Sequence, residues 1–216
     1  MVADPPPELV LASASPARLE TLTRAGLTPR VVVSDVDEDA FAAPDVPGLV
    51  QVLARAKAEA VASALAVGAP DGGGPRGDVL VVGCDSLLEL DGEPLGKPGT
   101  AEEAVRYWHR MRGRTGHLHT GHHVIRLGGV SGTTSGVATT AVSFAMLSDA
   151  EIAAYVASGE PLHVAGAFTI DGLGGAYVTK VDGDPHAVVG ISLPLLRDLF
   201  AQVGVRWHSL WRPAGT

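Results

Sequence analysis

Apolar positions along this chain form short β-branched runs and longer stretches at helical spacing, and the two alternate. Leu9-Val10-Leu11-Ala12 has the length and composition of a buried strand. Ser15-Pro16 follows as an N-cap with proline at the first helical position; Leu19 and Leu22 give that helix an apolar face, and Gly26 stops it. Residues 31–33 are a second strand, and 49–67 a helix with Leu49, Leu53, Ala56, Ala60 and Ala64 along one side. A third strand, 79–82, breaks at Gly83 and so delivers Asp85 to a strand's carboxyl end. Asp91-Gly92 makes the next turn, and Lys97 then sits in a Gly-Lys-Pro corner.

Thr100 to Glu103 and Ser148 to Glu151 have the spacing of capping boxes. The first opens a helix running to about Arg112, the second a short helix carrying Ile152, Tyr155 and Val156. Strands are predicted over 117–127, 137–146 and 163–170, with a loose hairpin tip at 128–136, a last helix after Pro194 and a turn-rich tail. The Gly-rich stretch 71–77 reads as a surface loop without function. Alternation of strand and helix signals predicts an α/β fold.

Composition narrows the function classes. The chain has 216 residues, 46% hydrophobic and 19% charged, as expected of a globular protein. No apolar run approaches the roughly 20 residues that span a bilayer, so no membrane partner is expected. The start, MVADPPPELV, lacks a basic segment and a long apolar core, and the single cysteine, Cys84, forms no internal disulfide; a cytoplasmic location is expected. A net charge of −8 argues against a nucleic-acid polymer as partner, whereas a small phosphorylated ligand needs only a local cluster of cations.

Five places carry candidate chemistry. The Ser-rich turn before the first helix, with Ser13, Ser15 and Arg18, is a ready anion site, although Ser15 as a plain cap and Arg18 as a solvated residue explain it too. Asp35, Asp37, Glu38 and Asp39 follow a strand and include hard oxygen ligands suited to Mg²⁺, or else form a solvated loop. Lys57 lies near the apolar face of its helix, where a lysine either snorkels to solvent or reaches an anion. Asp85 is the strongest candidate, because ligands of open α/β sheets gather at strand ends. His117, His119, His122 and His123 lack the neighbours of a recognised zinc set. Cys84 reads as a small core residue, and 172–175 lacks the dinucleotide-binding glycine spacing.

Taken together, the blocks LASASPARLETL, SDVDED, ARAKAEAVA and GCDSLLELDGEPLGKP resemble, in order, the motifs of the Maf family of nucleoside triphosphate pyrophosphatases. HTG at 119–121, EIAAYVASGEPLHVAGAF and GDPHAVVGISLPLL match the remaining pattern. The resemblance implies one domain over 8–201, with 1–7 and 202–216 as flanking termini. Its fold would be a long mixed central sheet flanked by helices, two lobes around a cleft, similar to inosine triphosphate pyrophosphatases. It implies hydrolysis of a nucleoside triphosphate to monophosphate and pyrophosphate, a divalent cation (Mg²⁺ or Mn²⁺) and a cytoplasmic homodimer.

By the same resemblance Asp85 is the proton acceptor, Glu38 and Asp85 are the metal partners, and Ser13, Arg18, Lys57 and Lys97 bind phosphate. Three positions depart from the branch that prefers thymidine and uridine triphosphates: Ala17 stands for an arginine, Ser86 for a threonine and Asp171 for a glutamine. Ionised Asp171 only accepts hydrogen bonds, so a donor-rich base such as guanine or methylated guanine is expected. Gly116 replaces a family histidine, and His117 is left out of the site. A nucleotide-binding regulator of septum formation without turnover is the alternative; a haloacid-dehalogenase phosphatase is excluded by Leu87, where a second aspartate is needed.

Overall fold

The computed structural model describes residues 5–67, 77–128 and 130–211. Strands β1 (Glu8–Ala12), β2 (Arg30–Val31), β3 (Val79–Leu90), β4 (Glu93–Leu95), β5 (Thr115–Leu127), β6 (Gly132–Phe144) and β7 (Val178–Asp182) form one sheet. Helices α1 (Pro16–Arg24), α2 (Val46–Val67), α3 (Ala101–Met111), α4 (Asp149–Ala157), α5 (Pro185–Val189) and α6 (Leu193–Gln202) flank it. The sheet order is β2-β1-β3-β5-β6-β7, with β4 paired to β3. β2, β1 and β3 run parallel, as strands joined through helices do, and the remaining pairs are antiparallel. The fold is thus the α/β class with a mixed central sheet that the sequence predicts. No helix among the described residues is long and apolar enough to cross a membrane.

β3 is the axis of the molecule, and it differs from its prediction. It continues through Gly83 to Leu90, so Asp85 lies in mid-strand and not at a carboxyl end. Gly83 does not break the strand; it lets a helix approach. A Cβ there would collide with the Ala54 carbonyl oxygen of α2, and one on Gly121 of β5 with the Val50 carbonyl. α2 therefore lies flat across one face of β3 and β5, and Val10, Ala58, Val61, Val79 and Val81 fill the layer between.

The other face carries two larger cores at opposite ends of the long strands. Leu11, Leu22, Leu80, Val82, Val124, Leu196 and Phe200 form one with α1 and α6. Leu88, Leu118, Phe144, Ile152, Tyr155 and Phe168 gather around Trp108 in the second, with α3 and α4. Trp108 meets Phe144, Tyr155 and Tyr177 edge-on at 5.6, 5.5 and 5.9 Å, and its indole N–H donates to the Ala167 carbonyl at 2.9 Å. The two cores make the two lobes, and residues 84–87 of β3 cross between them.

Further expectations are corrected in detail. The strand predicted over 163–170 is a pair of 3₁₀ turns, because Gly166 and Ala167 take positive φ of 69° and 55° and a Cβ on Gly166 would press on Leu88. α2 begins at Val46, β6 at Gly132, and the second strand is Arg30–Val31. β7 and α5 went unpredicted because their apolar positions are too few to show a period. Ser148 forms the full capping box; Thr100 caps Glu103 N–H at 3.2 Å, but the Glu103 carboxylate pairs with Arg106 instead of returning to the cap. The supposed tail packs: Val203, Val205 and Leu210 belong to the first core, and Trp207 stacks on Phe200 at 5.8 Å. The surface loop predicted at 71–77 falls, apart from Gly77, outside the described residues.

Because the α2 backbone rests on Gly83, Gly83→Ala is expected to destabilise the protein by about 2 kcal/mol or more through overpacking. Urea unfolding compared with Gly132→Ala, a strand glycine without positive φ whose Cβ position meets only Val203 at 3.6 Å, separates crowding from a general loss of glycine.

Candidate active site: a cleft across the open edge of β3

On one edge β3 pairs with β5 along almost its full length. On the other it pairs with β1 only as far as Gly83 and with β4 only from Leu88. Residues 84–87 have no strand partner on that edge. Successive strand residues point to opposite faces, so Asp85 faces α2 while Ser86 faces the opposite side. A cleft of about 920 Å³ wraps around this open edge, lined from both faces by Lys57, Asp85, Ser86, Lys97, Leu118 and Phe168 among others.

The turn between β1 and α1 closes one end. Ser15 caps α1 through its hydroxyl and the Arg18 N–H at 3.4 Å. The Ser13 hydroxyl accepts from the Ser15 N–H at 3.2 Å and from Arg18 Nη1 at 3.0 Å, which leaves its own hydrogen to donate. Arg18 is buried, not solvated. Its guanidinium donates to the Gly190 carbonyl at 2.8 Å, the Cys84 carbonyl at 2.9 Å and the Ser86 hydroxyl at 3.1 Å. With Ser13 that uses four of its five N–H groups, so Arg18 ties α1, α5 and the open edge of β3 together and keeps one donor for a ligand. Ser86 also bonds the Thr120 hydroxyl at 2.9 Å.

Lys57 does not snorkel. It is 7% exposed, and its ammonium sits 2.5 Å from Asp85 Oδ1 and 2.6 Å from Glu38 Oε1. Asp85 is equally buried. Partial burial raises the Glu38 carboxyl, but the Lys57 hydrogen bond and the charges of Lys57, Lys97 and Arg18 outweigh it and hold Glu38 below the usual carboxylate range. The acidic run is therefore divided. Glu38 pairs with Lys57, Asp35 and Asp39 line the cleft, and Asp37 caps the short 3₁₀ turn Glu38–Ala40. Lys97 is exposed and lines the cleft near enough to Glu38 for its charge to help lower that carboxyl, with no ion pair among the described residues. Its loop is pinned by the Gly166 N–H donating to the Gly96 carbonyl at 3.0 Å.

Ala17 and Asp171 also line the cleft, Ala17 half-buried and Asp171 exposed. Ser13, Ala17, Arg18, Glu38, Lys57, Asp85, Ser86, Lys97 and Asp171 thus border one cavity, whereas Asp37, Cys84 and the histidines at 117, 119, 122 and 123 do not line it. Sequence reasoning missed Thr120, His163, Phe168, Thr169 and Gly190; all but Phe168 carry polar groups at the cleft or behind it, and only the third dimension brings them there. The Cys84 thiol is buried and pushed up to about 12, so it stays protonated and inert, while its carbonyl holds Arg18.

Sequence comparison agrees with this assembly of motifs. Residues 8–203 match the family described as Maf-like protein. The chain belongs to the Maf family. A protein of Saccharopolyspora erythraea named nucleoside triphosphate pyrophosphatase is 54% identical over 211 residues, 94% of this chain and 97% of its own. One of Streptomyces coelicolor with the same name is 52% identical over 215 residues, 99% of each. Among solved structures, the Staphylococcus aureus Ham1 protein aligns at 18% identity over 64% of this chain and 72% of its own, with a TM-score of 0.37, too slight a likeness to argue from.

The donor set of this Maf-family cleft suits a hard divalent cation. Glu38 and Asp85 each give one oxygen to Lys57, and the other oxygen of each accepts no hydrogen bond from a described residue. Two carboxylates leave most of an octahedral shell to water and to substrate oxygens, which is how Mg²⁺ is commonly held. Among the described residues no three His, Cys, Asp or Glu side chains converge, in this cleft or at the histidines.

His122 is instead a structural acceptor. Its Nδ1–H donates to the Thr120 carbonyl at 3.0 Å and its Nε2 accepts the Ser192 N–H at 2.9 Å, fixing the neutral tautomer. Burial, then the nearby Arg18 charge, pushes it down to about 4. A depressed histidine is protonated in the unfolded chain first, so its stability is complete above about pH 6.5 and is lost as pH falls toward 4, by roughly 3 kcal/mol at most. Urea midpoints measured from pH 7.5 to 4.5 should fall accordingly, with a flatter slope in His122→Gln.

Proposed function

We propose that this protein hydrolyses nucleoside triphosphates between the α- and β-phosphorus, releasing the monophosphate and pyrophosphate. The observation that carries the reading is the Lys57 ammonium held between Glu38 and Asp85, in a cleft that also presents Lys97 and the Ser13 hydroxyl. Relatives at about half identity over nearly the full chain bear the name of this activity.

Phosphoanhydride hydrolysis demands positioning and charge neutralisation more than covalent chemistry. Ser13, Lys97 and the remaining Arg18 N–H bind the phosphate oxygens. Lys57 orients the Asp85 carboxylate through Oδ1, which leaves Oδ2 to accept a proton from the attacking water. Glu38 and Asp85 would hold Mg²⁺ or Mn²⁺, and the cation would neutralise phosphate charge and polarise the bond to be broken. The chain works as one domain over 8–201, as a cytoplasmic homodimer without nucleic-acid or membrane partners.

Ala17, Ser86 and Asp171 set the base preference, Ser86 keeping the hydroxyl that bonds Arg18 and Thr120. Without the second arginine and the amide, the cleft favours a base rich in donors, such as guanine or a methylated guanine, over thymine and uracil. Turnover of dTTP and UTP equal to that of the guanine nucleotides overturns this preference.

Asp85→Asn keeps the shape of the site but loses the proton acceptor, and is expected to lower kcat by about 10²–10⁴-fold. Hydrolysis in ¹⁸O-water should place the label in the monophosphate; label in free orthophosphate would instead show stepwise removal of terminal phosphates. Chelation with EDTA is expected to abolish turnover, with recovery on adding Mg²⁺ or Mn²⁺, followed by pyrophosphate release.

A further inference from the structure

The wall of the cleft opposite α2 has no regular backbone to hold it. Residues 163–175, which carry Phe168, Thr169, Ile170 and Asp171 to the cleft, hold the 3₁₀ turn Ala165–Ala167 between two others, Glu160–His163 and Leu173–Tyr177, with Ala167 at a φ of 55°. Left-handed backbone in a non-glycine residue persists only where neighbours over-determine it. Trp108 does so from one side through the Ala167 carbonyl. From the other side one carboxylate gathers most of the remaining donors.

Glu160 Oε1 accepts from the Thr169 hydroxyl at 2.6 Å, the Tyr155 hydroxyl at 2.8 Å and the Gly174 N–H at 3.0 Å. Glu160 Oε2 accepts from the Leu173 N–H at 2.9 Å. The Tyr155 oxygen in turn accepts the Thr169 N–H at 3.3 Å. Two glycines make the approach feasible: a Cβ on Gly172 would stand 2.5 Å from Glu160 Oε2, and one on Gly174 would collide with the Tyr155 hydroxyl. Partial burial raises Glu160, but the Thr169 hydroxyl and the Leu173 and Gly174 N–H groups hold it at about 2, so the clamp is ionised at neutral pH. Glu160 touches nothing in the cleft; it acts on the loop that does.

On the pyrophosphatase reading above, the clamped wall is the side left for the nucleoside. The groups proposed to bind phosphate, Ser13 and Arg18 at the turn before α1 and Lys97 on the loop after β4, lie outside 164–171, which presents no cation and joins Leu118 and Val188 in a largely apolar surface. A flat heterocycle fits such a surface, with polar groups at its rim to fix orientation. We propose that Glu160 is a positioning residue that sets the nucleoside-binding wall, and through it the base discrimination, of the pyrophosphatase reading above.

Because the products divide between the two ends of the cleft, they separate this role from a general structural one. Calorimetric titration of Glu160→Gln with GMP and, separately, with pyrophosphate is the test, in the presence of Mg²⁺. Gln presents an amide to N–H and O–H donors, so loosening of the loop is expected to weaken GMP by about tenfold and leave pyrophosphate within about twofold. In steady-state kinetics KM for GTP should rise while kcat changes less, and the ratio of GTP to UTP turnover should move toward one. Thr169→Val, which removes a single donor, should act in the same direction by about threefold and carries the test if Glu160→Gln does not fold. Equal weakening of GMP and pyrophosphate, or no change in either, would overturn the proposal. Absence of pyrophosphate release by the wild-type protein would instead overturn the reaction, and the two failures are distinct.

Discussion

One lysine ammonium, set between two carboxylates on different elements, is the interaction around which this cleft is organised. Lys57 comes from α2, Asp85 from the middle of β3, and Glu38 from the loop that precedes α2. Lys57 and Asp85 are both almost fully buried, and desolvating either charge alone would cost several kcal/mol. Each therefore requires the other, and both require α2 to lie where Gly83 and Gly121 let it lie. A buried pair of this kind is weak evidence of stability. Its value is positional: it fixes one carboxylate oxygen and leaves its partner oxygen open to the cleft.

The cleft exists because a strand edge was left unpaired. Four residues of β3 lie between the end of β1 and the start of β4, and exposed edge groups are a liability unless something covers them. Arg18 covers part of that edge by binding the Cys84 carbonyl, and by also holding Gly190, Ser13 and Ser86 it makes the covering group a structural hub. The opening that remains is reached by both faces of the strand, which is why consecutive residues, Asp85 and Ser86, border the same cavity.

The two walls of the cavity are built differently. One rests on α2, β3 and the ion pairs of Lys57. The other wall is irregular backbone fixed by Trp108, Glu160 and glycines in close contact. Loops placed on a rigid frame are where binding preferences vary among related proteins; of the three positions that depart from the pyrimidine-preferring pattern, Asp171 lies on that loop, Ala17 on α1 and Ser86 on β3.

Much of this was legible in the order of residues. Serine and proline at a helix start, the apolar spacing of α1 and α2, the Asp91-Gly92 turn and the Ser148 capping box report local backbone preferences, and local preferences are carried by the sequence itself. So was the set of chemically unusual residues, since spaced motifs keep their spacing. What the sequence could not determine was what lies across from each side chain. Helical periodicity placed Lys57 beside an apolar face but not against Asp85, and a turn-like serine segment gave no sign that Arg18 is buried. Gly83 read as a strand break when it is a contact point for α2, and 163–170 read as a strand when Leu88 and Trp108 fold it into turns. In each case the deciding force is a non-local one: the desolvation of a charge, the close approach of two backbones or the closure of a core, none of which is expressed until the chain has come together.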